Sequence, residues 1–283
     1  MLTVIIPSFN EENYIAACLE ALLTQAGLPD NHSVQVIVAA NGCHDATVSI
    51  AQRYAPEFAR AGFDYLTLNI AQPGKTNALN VADGHAEFAN RAYLDADVVL
   101  GPGFLAELLL ALRSETDPVY IGGSVEVPRS RSWVTRAYAR IWTNLPFVRE
   151  GVPGIGFYAF NAAGRARWSE FPEIIGDDRY VRLQFRDSER KRLKATYKWP
   201  LPEGFFNMVK AKRRWSEGNL EVARKFPELA ANDSQRNTSA DGKLLLLRHP
   251  ISGLIFVAIT LGSKGLAVLQ GTRRSQGWRR GRT

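Results

Sequence analysis

Sulfur and histidine are scarce in this chain, which has 2 Cys, 2 Met and 4 His among its 283 residues. The two cysteines, Cys18 and Cys43, are not spaced like the ligands of a metal site. We expect both thiols to be reduced and structural, as is usual on the cytosolic side of a membrane.

The chain also lacks the features of a secretory signal. Residues 1–7 enter a strand-like run directly, without a basic stretch, an apolar core and a cleavage site. We therefore expect the protein to remain inside the cell. Motifs of nucleic-acid-binding domains are absent too, so nucleic acid ranks last among the anionic partners that the net charge of +7 suggests.

Short apolar runs alternate with patterns of helical periodicity. The strand-like runs are residues 3–6, 34–39, 65–69 and 91–100. Apolar residues at helical spacing follow the first three of them. This alternation predicts an α/β fold with a mostly parallel central sheet and helices on both faces. In such a sheet, ligands lie beyond the carboxyl ends of the strands.

The fourth run contains two carboxylates. Asp95 and Asp97 stand one residue apart among strand-forming residues, and side chains two apart on a strand point to the same side. Burying two unpaired acids is costly. Mg²⁺ or Mn²⁺ removes that cost, because such a cation prefers carboxylate oxygens and keeps substrate phosphates as further ligands. The alternative is a solvated turn after the strand, because Asp-x-Asp is a common pattern.

Six polar segments follow one another in a distinctive order. They contain Pro7, Phe9, Asn10 and Glu11; Asn41, Gly42 and Asp45; Gly74, Lys75, Asn77, Ala78, Leu79 and Asn80; Asp95 and Asp97; Asp177 and Asp178; and Arg213, Arg214, Trp215, Gly218 and Asn219. Together they resemble the signature of family 2 glycosyltransferases, which have the GT-A fold. The resemblance covers roughly residues 1–225, and the ordered set is more specific than any one segment.

The resemblance implies a site for a nucleotide-sugar donor. Pro7, Phe9 and Glu11 would line the nucleoside pocket, and Asn41 would also contact the donor. Lys75 would supply a positive charge to the nucleotide or its phosphates. From the residues alone, the first segment is also compatible with a strand end and a helix cap, and a lone lysine with plain surface.

The resemblance also implies how the sugar would be transferred. Asp97 would bind the cation and Asp95 the ribose or the metal, so that the ion stabilises the charge on the leaving nucleoside diphosphate. Asp178 would be the general base for the acceptor hydroxyl in an inverting transfer. Contacts with the acceptor or its phosphate would come from Asp177, Arg214 and Trp215. The alternative for the acid pair is a helix start, where the dipole favours acids.

One position departs from the family's pattern. Ala40 stands where many relatives have an acidic residue that contacts the base. The nucleobase therefore stays open between UDP- and GDP-sugars.

Basic and apolar segments fill the C-terminal part. The basic run from Arg179 to Lys198 has the composition of a solvated face, and with Arg213 and Arg214 it could attract lipid phosphates. We expect residues 1–230 to form the catalytic domain and residues 231–242, which are rich in Asn, Asp, Ser and Thr, to form a linker.

Residues 243–283 combine an apolar run with an arginine-rich tail. We expect a membrane-associating helix that lies in the interface, with the tail on anionic headgroups. Packing against the domain is the alternative. A full span is a third possibility, although spanning takes ~20 mostly apolar residues and this run contains a lysine and several glycines.

The expected protein is a metal-dependent, inverting hexosyltransferase of family 2. It would move a sugar from a nucleotide-sugar to a glycan or lipid-linked acceptor at the inner face of the cell membrane, in polysaccharide or glycolipid synthesis. The long apolar spans of a processive synthase are missing, which favours single additions. The alternatives are a catalytically silent nucleotide-sugar-binding protein, supported by Ala40, and a nucleotidyltransferase, disfavoured because no glycine-rich basic loop follows Ile6.

Overall fold

The computed structural model describes residues 1–30, 32–233 and 245–270, with side chains described as far as residue 266. Within these ranges, eight strands form one sheet: β1 (Leu2–Ser8), β2 (Val34–Asn41), β3 (Asp64–Ile70), β4 (Arg91–Leu94), β5 (Val99–Leu100), β6 (Tyr120–Glu126), β7 (Phe157–Phe160) and β8 (Arg190–Lys198). Their spatial order is β3-β2-β1-β4-β7-β6-β8-β5.

The helices of the described residues are mostly short. They are α1 (Ile15–Leu23), α2 (Thr47–Arg53), α3 (Ala55–Arg60), α4 (Lys75–Asp83), α5 (Phe104–Arg113), α6 (Trp133–Trp142), α7 (Pro146–Arg149), α8 (Ala162–Arg165), α9 (Asp177–Leu183), α10 (Phe205–Lys225) and α11 (Pro250–Gln270). The first three strand–helix units match the predicted alternation to within a few residues.

The sheet is parallel on one side and mixed on the other. β3, β2, β1 and β4 are parallel, and Ile5 of β1 pairs with Ile37 of β2 and Tyr93 of β4. β7 then runs antiparallel between β4 and β6. Beyond it β6 and β8 are parallel, and the two-residue β5 is antiparallel to β8. The mostly parallel sheet is confirmed, with an antiparallel strand that the sequence pattern did not predict.

Alternating side chains of the sheet enter two separate cores. Leu2, Val4 and Ile6 pack on one face with apolar residues of α1 and α5. Ile5 packs on the other face with residues of α4 and α9. Helices therefore cover both faces, as predicted, and leave the strand ends for polar loops.

The basic run is not one solvated face. It contains the rest of α9, in which Val181 and Leu183 are buried, and the strand β8, in which Leu193 and Tyr197 are buried. The exposed residues of the strand are Lys191, Arg192, Lys194 and Lys198. Arg190 is partly buried, because its guanidinium donates to the carbonyls of Phe185 and Asn232.

The C-terminal helix α11 packs on the catalytic part of the chain. Ile259 is fully buried, and the ring of Phe256 stacks on Tyr138 of α6 with centroids 5.0 Å apart. Over the described residues, no helix is long and apolar enough to cross a membrane. Most of the proposed linker and the arginine-rich tail lie outside those residues. The division into residues 1–230 and 243–283 stays a prediction.

Candidate active site

Polar side chains gather where the parallel strands end. β1, β2 and β4 end at the same edge of the sheet, because their registers align them in parallel. The loop after β3 leads into α4 at Lys75. The predicted donor and metal residues of the first four segments therefore meet at one edge, as expected for an open α/β sheet.

The two acids of the fourth strand lie in a turn and not in the strand. β4 ends at Leu94, and the Val98 amide donates to the Asp95 carbonyl at 3.0 Å. The Asp95 amide donates to the Gly156 carbonyl at 2.8 Å. Asp95 and Asp97 are half-buried and alternate with the buried Ala96 and Val98. Both acids therefore belong to one turn, and the shared orientation of their carboxylates stays a prediction.

Lys75 joins two acidic segments that lie far apart in the sequence. Its ammonium nitrogen lies 3.0 Å from Oδ1 of Asp95 and 3.1 Å from Oδ2 of Asp177. Burial acts to lower the pKa of Lys75, but Asp177, Asp95 and Asp178 together raise that pKa above its ordinary value. The lysine therefore carries a permanent positive charge between the fourth and fifth segments.

The acid pair begins α9. Asp177 is only 3% exposed, and its Oδ2 accepts a hydrogen bond of 3.1 Å from the Tyr158 hydroxyl. Burial and the neighbouring Asp177 raise the pKa of Asp178 to about 6, against the opposing effect of Lys75. Asp177 is thus fixed in place by Lys75 and the Tyr158 hydroxyl, whereas Asp178 can exchange a proton near neutral pH.

A close backbone contact sets the position of this helix start. A Cβ added at Gly218 of α10 would lie 3.0 Å from the backbone nitrogen of Gly176, the residue before Asp177. A Cβ added at Gly176 would lie 3.0 Å from the Gly218 carbonyl oxygen. The segment of α10 that contains Gly218 therefore holds the start of α9 in place through backbone contacts.

The first and second loops are tied to each other. The Glu11 amide donates to Oγ1 of Thr47 at 2.7 Å, and Oδ1 of Asp45 accepts from the Thr47 amide at 3.0 Å. Glu11 is 8% exposed and Pro7 is buried within β1, while Phe9 is partly exposed. The contacts of Pro7, Phe9 and Glu11 with a nucleoside stay a prediction.

Asn41 connects three segments. Its side-chain amide donates to the Ser8 carbonyl at 2.9 Å, and its Oδ1 accepts from the Gly74 amide at 3.0 Å. The residue is fully buried. Its observed contacts therefore hold the loops together, and a direct donor contact stays a prediction.

Trp215 belongs to a row of tryptophans. Its ring centroid lies 5.8 Å from Trp199, which lies 5.5 Å from Trp142 of α6. A Cβ added at Gly156 would lie 2.7 Å from Cδ1 of Trp199. The tryptophans therefore pack closely against the loop whose Gly156 carbonyl accepts a hydrogen bond from the Asp95 amide. Arg214 is partly buried on α10. Acceptor contacts of Trp215 and Arg214 stay predictions.

Sequence reasoning missed two hydroxyl groups at this site. The Thr47 hydroxyl accepts a hydrogen bond from the Glu11 amide, and the Tyr158 hydroxyl donates one to Asp177. For Tyr158 a signal was available, since a tyrosine hydroxyl on a buried strand needs a polar partner. For Thr47 no comparable signal exists, because threonines at helix starts are common.

The residues at this edge suit a hard divalent cation. Asp95 and Asp97 offer carboxylate oxygens, the ligands that Mg²⁺ and Mn²⁺ prefer, and such ions commonly take one or two carboxylates plus substrate phosphates. In the part of the chain that the structure describes, no group of three or more His, Cys, Asp or Glu side chains forms a metal cage.

Comparison with known proteins assigns the class. The sequence model described as glycosyl transferase family 2 matches residues 3–170. The chain belongs to this family. It is also 35% identical over 101 residues to the dolichyl-phosphate beta-glucosyltransferase of Drosophila melanogaster. That match covers 34% of this chain and 30% of the relative.

Solved structures with the same fold are also glycosyltransferases. The mannosyltransferase PcManGT from Pyrobaculum calidifontis, in complex with GDP-Man and Mn²⁺, is similar to this chain with a TM-score of 0.56 and 18% sequence identity. The similar region covers 96% of this chain and 76% of the mannosyltransferase chain. Glucosyl-3-phosphoglycerate synthase from Mycobacterium tuberculosis, in complex with Mn²⁺, UDP and glucosyl-3-phosphoglycerate, has a TM-score of 0.52 at 17% identity and covers 78% of this chain and 79% of its own. These likenesses show the fold, which agrees with the expected GT-A architecture.

Proposed function

We propose that this protein is a metal-dependent, inverting glycosyltransferase that moves one sugar from a UDP- or GDP-sugar to an acceptor hydroxyl. The observation that carries the proposal is the position of Lys75, whose ammonium contacts both Asp95 and Asp177. This contact brings the acids proposed for the donor side within reach of the acids proposed for the acceptor side.

The donor binds at the carboxyl ends of the parallel strands. Pro7, Phe9 and Glu11 contact the nucleoside, and Lys75 contributes positive charge toward the phosphates. Asp95 and Asp97 hold the divalent cation, which when bound supplies positive charge to the leaving nucleoside diphosphate. PcManGT and the phosphoglycerate synthase support this assignment, since both are described with Mn²⁺.

Asp178 removes the proton of the acceptor hydroxyl. A base is most effective when its pKa lies near the working pH, and burial beside Asp177 raises the pKa of Asp178 to about 6. Asp177 beside it is held in place by Lys75 and the Tyr158 hydroxyl. The hydroxyl oxygen then attacks the anomeric carbon opposite the leaving group, which inverts its configuration.

The acceptor is a glycan or a lipid-linked molecule, and the reaction takes place at the inner face of the cell membrane. The similarity to a dolichyl-phosphate beta-glucosyltransferase supports a lipid-linked acceptor. The arginine-rich tail supports contact with anionic lipid. The product would enter a cell-surface polysaccharide or a glycolipid.

A two-stage experiment tests the proposal. UDP-, GDP- and dTDP-sugars are first screened for an increase in Tm of the full chain that requires Mn²⁺ or Mg²⁺. The stabilising donor is then incubated with Mn²⁺, and release of nucleoside diphosphate is measured. Stabilisation without release would instead support the silent nucleotide-sugar-binding protein. A lack of stabilisation by every donor would contradict the proposal.

A further inference from the structure

Helix α11 has a buried inner face and an exposed, apolar outer face. The inner face packs on α6 and α10, with Ser252, Ile259 and Ser263 buried. The outer face consists of Ile251, Leu254, Ala258 and Leu261, which recur at intervals of three and four residues and therefore form one stripe. Ile251, Leu254 and Leu261 are 70%, 72% and 61% exposed.

A stripe of this kind differs from ordinary surface leucines. Single exposed apolar side chains are normal, whereas a contiguous exposed patch marks a contact with a protein or a membrane. Leu247 lies one turn before Ile251 and is 77% exposed, so the stripe continues toward the start of the segment. The outer face is therefore a surface that needs a partner.

The charge of the segment identifies the partner. Residues 242–283 contain no Asp or Glu, and their basic residues are Lys243, Arg248, Lys264, Arg273, Arg274, Arg279, Arg280 and Arg282. Two of these, Arg248 and Lys264, are exposed near the two ends of the outer face. Pairing with a second copy of the chain would bring like charges together, whereas anionic lipid headgroups would attract them.

We propose that the outer face of α11 lies in an anionic lipid surface and holds the transferase on it. This inference deepens the proposed function and rests on its lipid-linked acceptor. The apolar stripe enters the boundary between headgroups and acyl chains, while Arg248 and Lys264 contact phosphates.

Packing connects this surface to the site. Phe256 of α11 stacks on Tyr138, and Trp142 one turn further along α6 packs on Trp199. Trp199 in turn abuts Gly156, whose carbonyl receives the Asp95 amide. Docking of α11 therefore fixes the orientation of the donor site relative to the lipid surface.

The test compares two matched double variants of the full chain. Leu254→Gln/Leu261→Gln changes the outer face, and Leu110→Gln/Leu220→Gln changes leucines of similar exposure, 58% and 56%, on α5 and α10. Flotation with vesicles of phosphatidylcholine containing phosphatidylglycerol measures binding. We expect the parent and the control to float, and the outer-face variant to partition at least about tenfold less. Unchanged Tm values confirm that both variants fold.

Other results would overturn the inference. Vesicle binding by the outer-face variant at the parent's level would do so, as would a parent that does not float. Sedimentation showing a parent dimer that this variant dissociates would assign the face to a second copy. If the outer-face variant is unfolded, Arg248→Gln/Lys264→Gln must lose vesicle binding or the inference fails. Hydrolysis of the sugar donor is measured in a separate assay without vesicles. If only this hydrolysis is missing, the proposed transfer reaction is rejected, and the inference of lipid docking still stands.

Discussion

Lys75 and Asp177 form an ion pair, 3.1 Å between Nζ and Oδ2, across 102 positions of the chain. Lys75 begins α4 on the donor side, and Asp177 begins α9 beside the proposed base. Because Lys75 also lies 3.0 Å from Asp95, one ammonium group balances carboxylates from both halves of the site.

Replacement of Lys75 by Met should therefore destabilise the protein. Asp177 would lose its cationic partner while 3% exposed, and breaking such a pair costs about 3–5 kcal/mol. Lys225→Met is the control, since its pair with Glu221 is more exposed and should contribute less than about 1 kcal/mol. Urea unfolding of the two variants measures the difference, and equal losses would contradict the role assigned to Lys75.

Replacement of Asp97 by Asn should retain the fold and lose metal-dependent donor binding. An amide is a neutral and weaker ligand for a hard cation than a carboxylate. Titration of the donor with and without Mn²⁺ measures the effect, and the exposed Asp117→Asn is the control. Unchanged dependence of donor binding on Mn²⁺ in Asp97→Asn would show that the metal assignment is wrong.

The neighbours Asp177 and Asp178 should respond differently to the same substitution. Asp178→Asn should bind the donor normally and lose roughly 10²–10⁴-fold in turnover, because it removes a base that acts in the transition state. Asp177→Asn should lower the stability more and the turnover less, because it disrupts the contacts with Lys75 and Tyr158. Single-turnover rates and Tm separate the two effects. The reverse pattern would move the base to Asp177.

The raised pKa of Asp178 predicts that activity and stability depend on pH in opposite directions. Activity should fall as pH drops below about 6, because the base becomes protonated. The pKa of Asp178 in the folded state lies above its ordinary value of 3.8, so the folded state binds the proton more tightly than the unfolded state does. This group therefore contributes stability below pH 4 that is lost as pH rises through about 6.

Asp178→Asn removes that titration. Its free energy of unfolding should exceed that of the parent above pH 6 by on the order of 1 kcal/mol, and this difference should shrink at pH 4. Scanning calorimetry between pH 4 and pH 8 measures the difference. A constant difference over this range would show that Asp178 ionises normally in the folded protein.

The inner face of α11 should matter for stability. Ile259→Ala removes a fully buried side chain and should cost about 2–4 kcal/mol. Leu254→Ala, at a position that is 72% exposed, should cost less than about 0.5 kcal/mol. A chain ending at Gly242 should accordingly be less stable, because it lacks the buried face of α11. A stable, soluble chain of that length would contradict the packing of α11.

The sequence allowed prediction of the half of the sheet that follows simple rules. β1 and β2 are short apolar runs buried on both faces, and such runs are easily recognised. β8 was missed, because Arg190, Lys191, Arg192 and Lys194 give it the composition of surface. A strand near the edge of a mixed sheet can alternate charged and buried residues, and composition does not distinguish it from a solvated segment.

For the site, the sequence indicated which residues meet but not how they are held. The order of the six segments predicted the gathering of Asp95, Lys75 and Asp177. Their contacts depend on how α4 and α9, which are far apart in the sequence, come together in the fold. No local sequence pattern encodes that arrangement. The Asp95 turn also depends on the Gly156 carbonyl, which comes from a loop 61 positions later in the chain.

The contact between Gly176 and Gly218 sets a condition for exchanging parts between related enzymes. If α10 were replaced by the corresponding helix of a related protein, a new residue would occupy position 218. Any side chain there would clash with the backbone just before Asp177. The acid pair would then move with the graft, even if every residue of the nucleotide pocket were kept. Chimaeras of this transferase therefore need a glycine at that junction, and their acceptor preference can be compared fairly only when it is present.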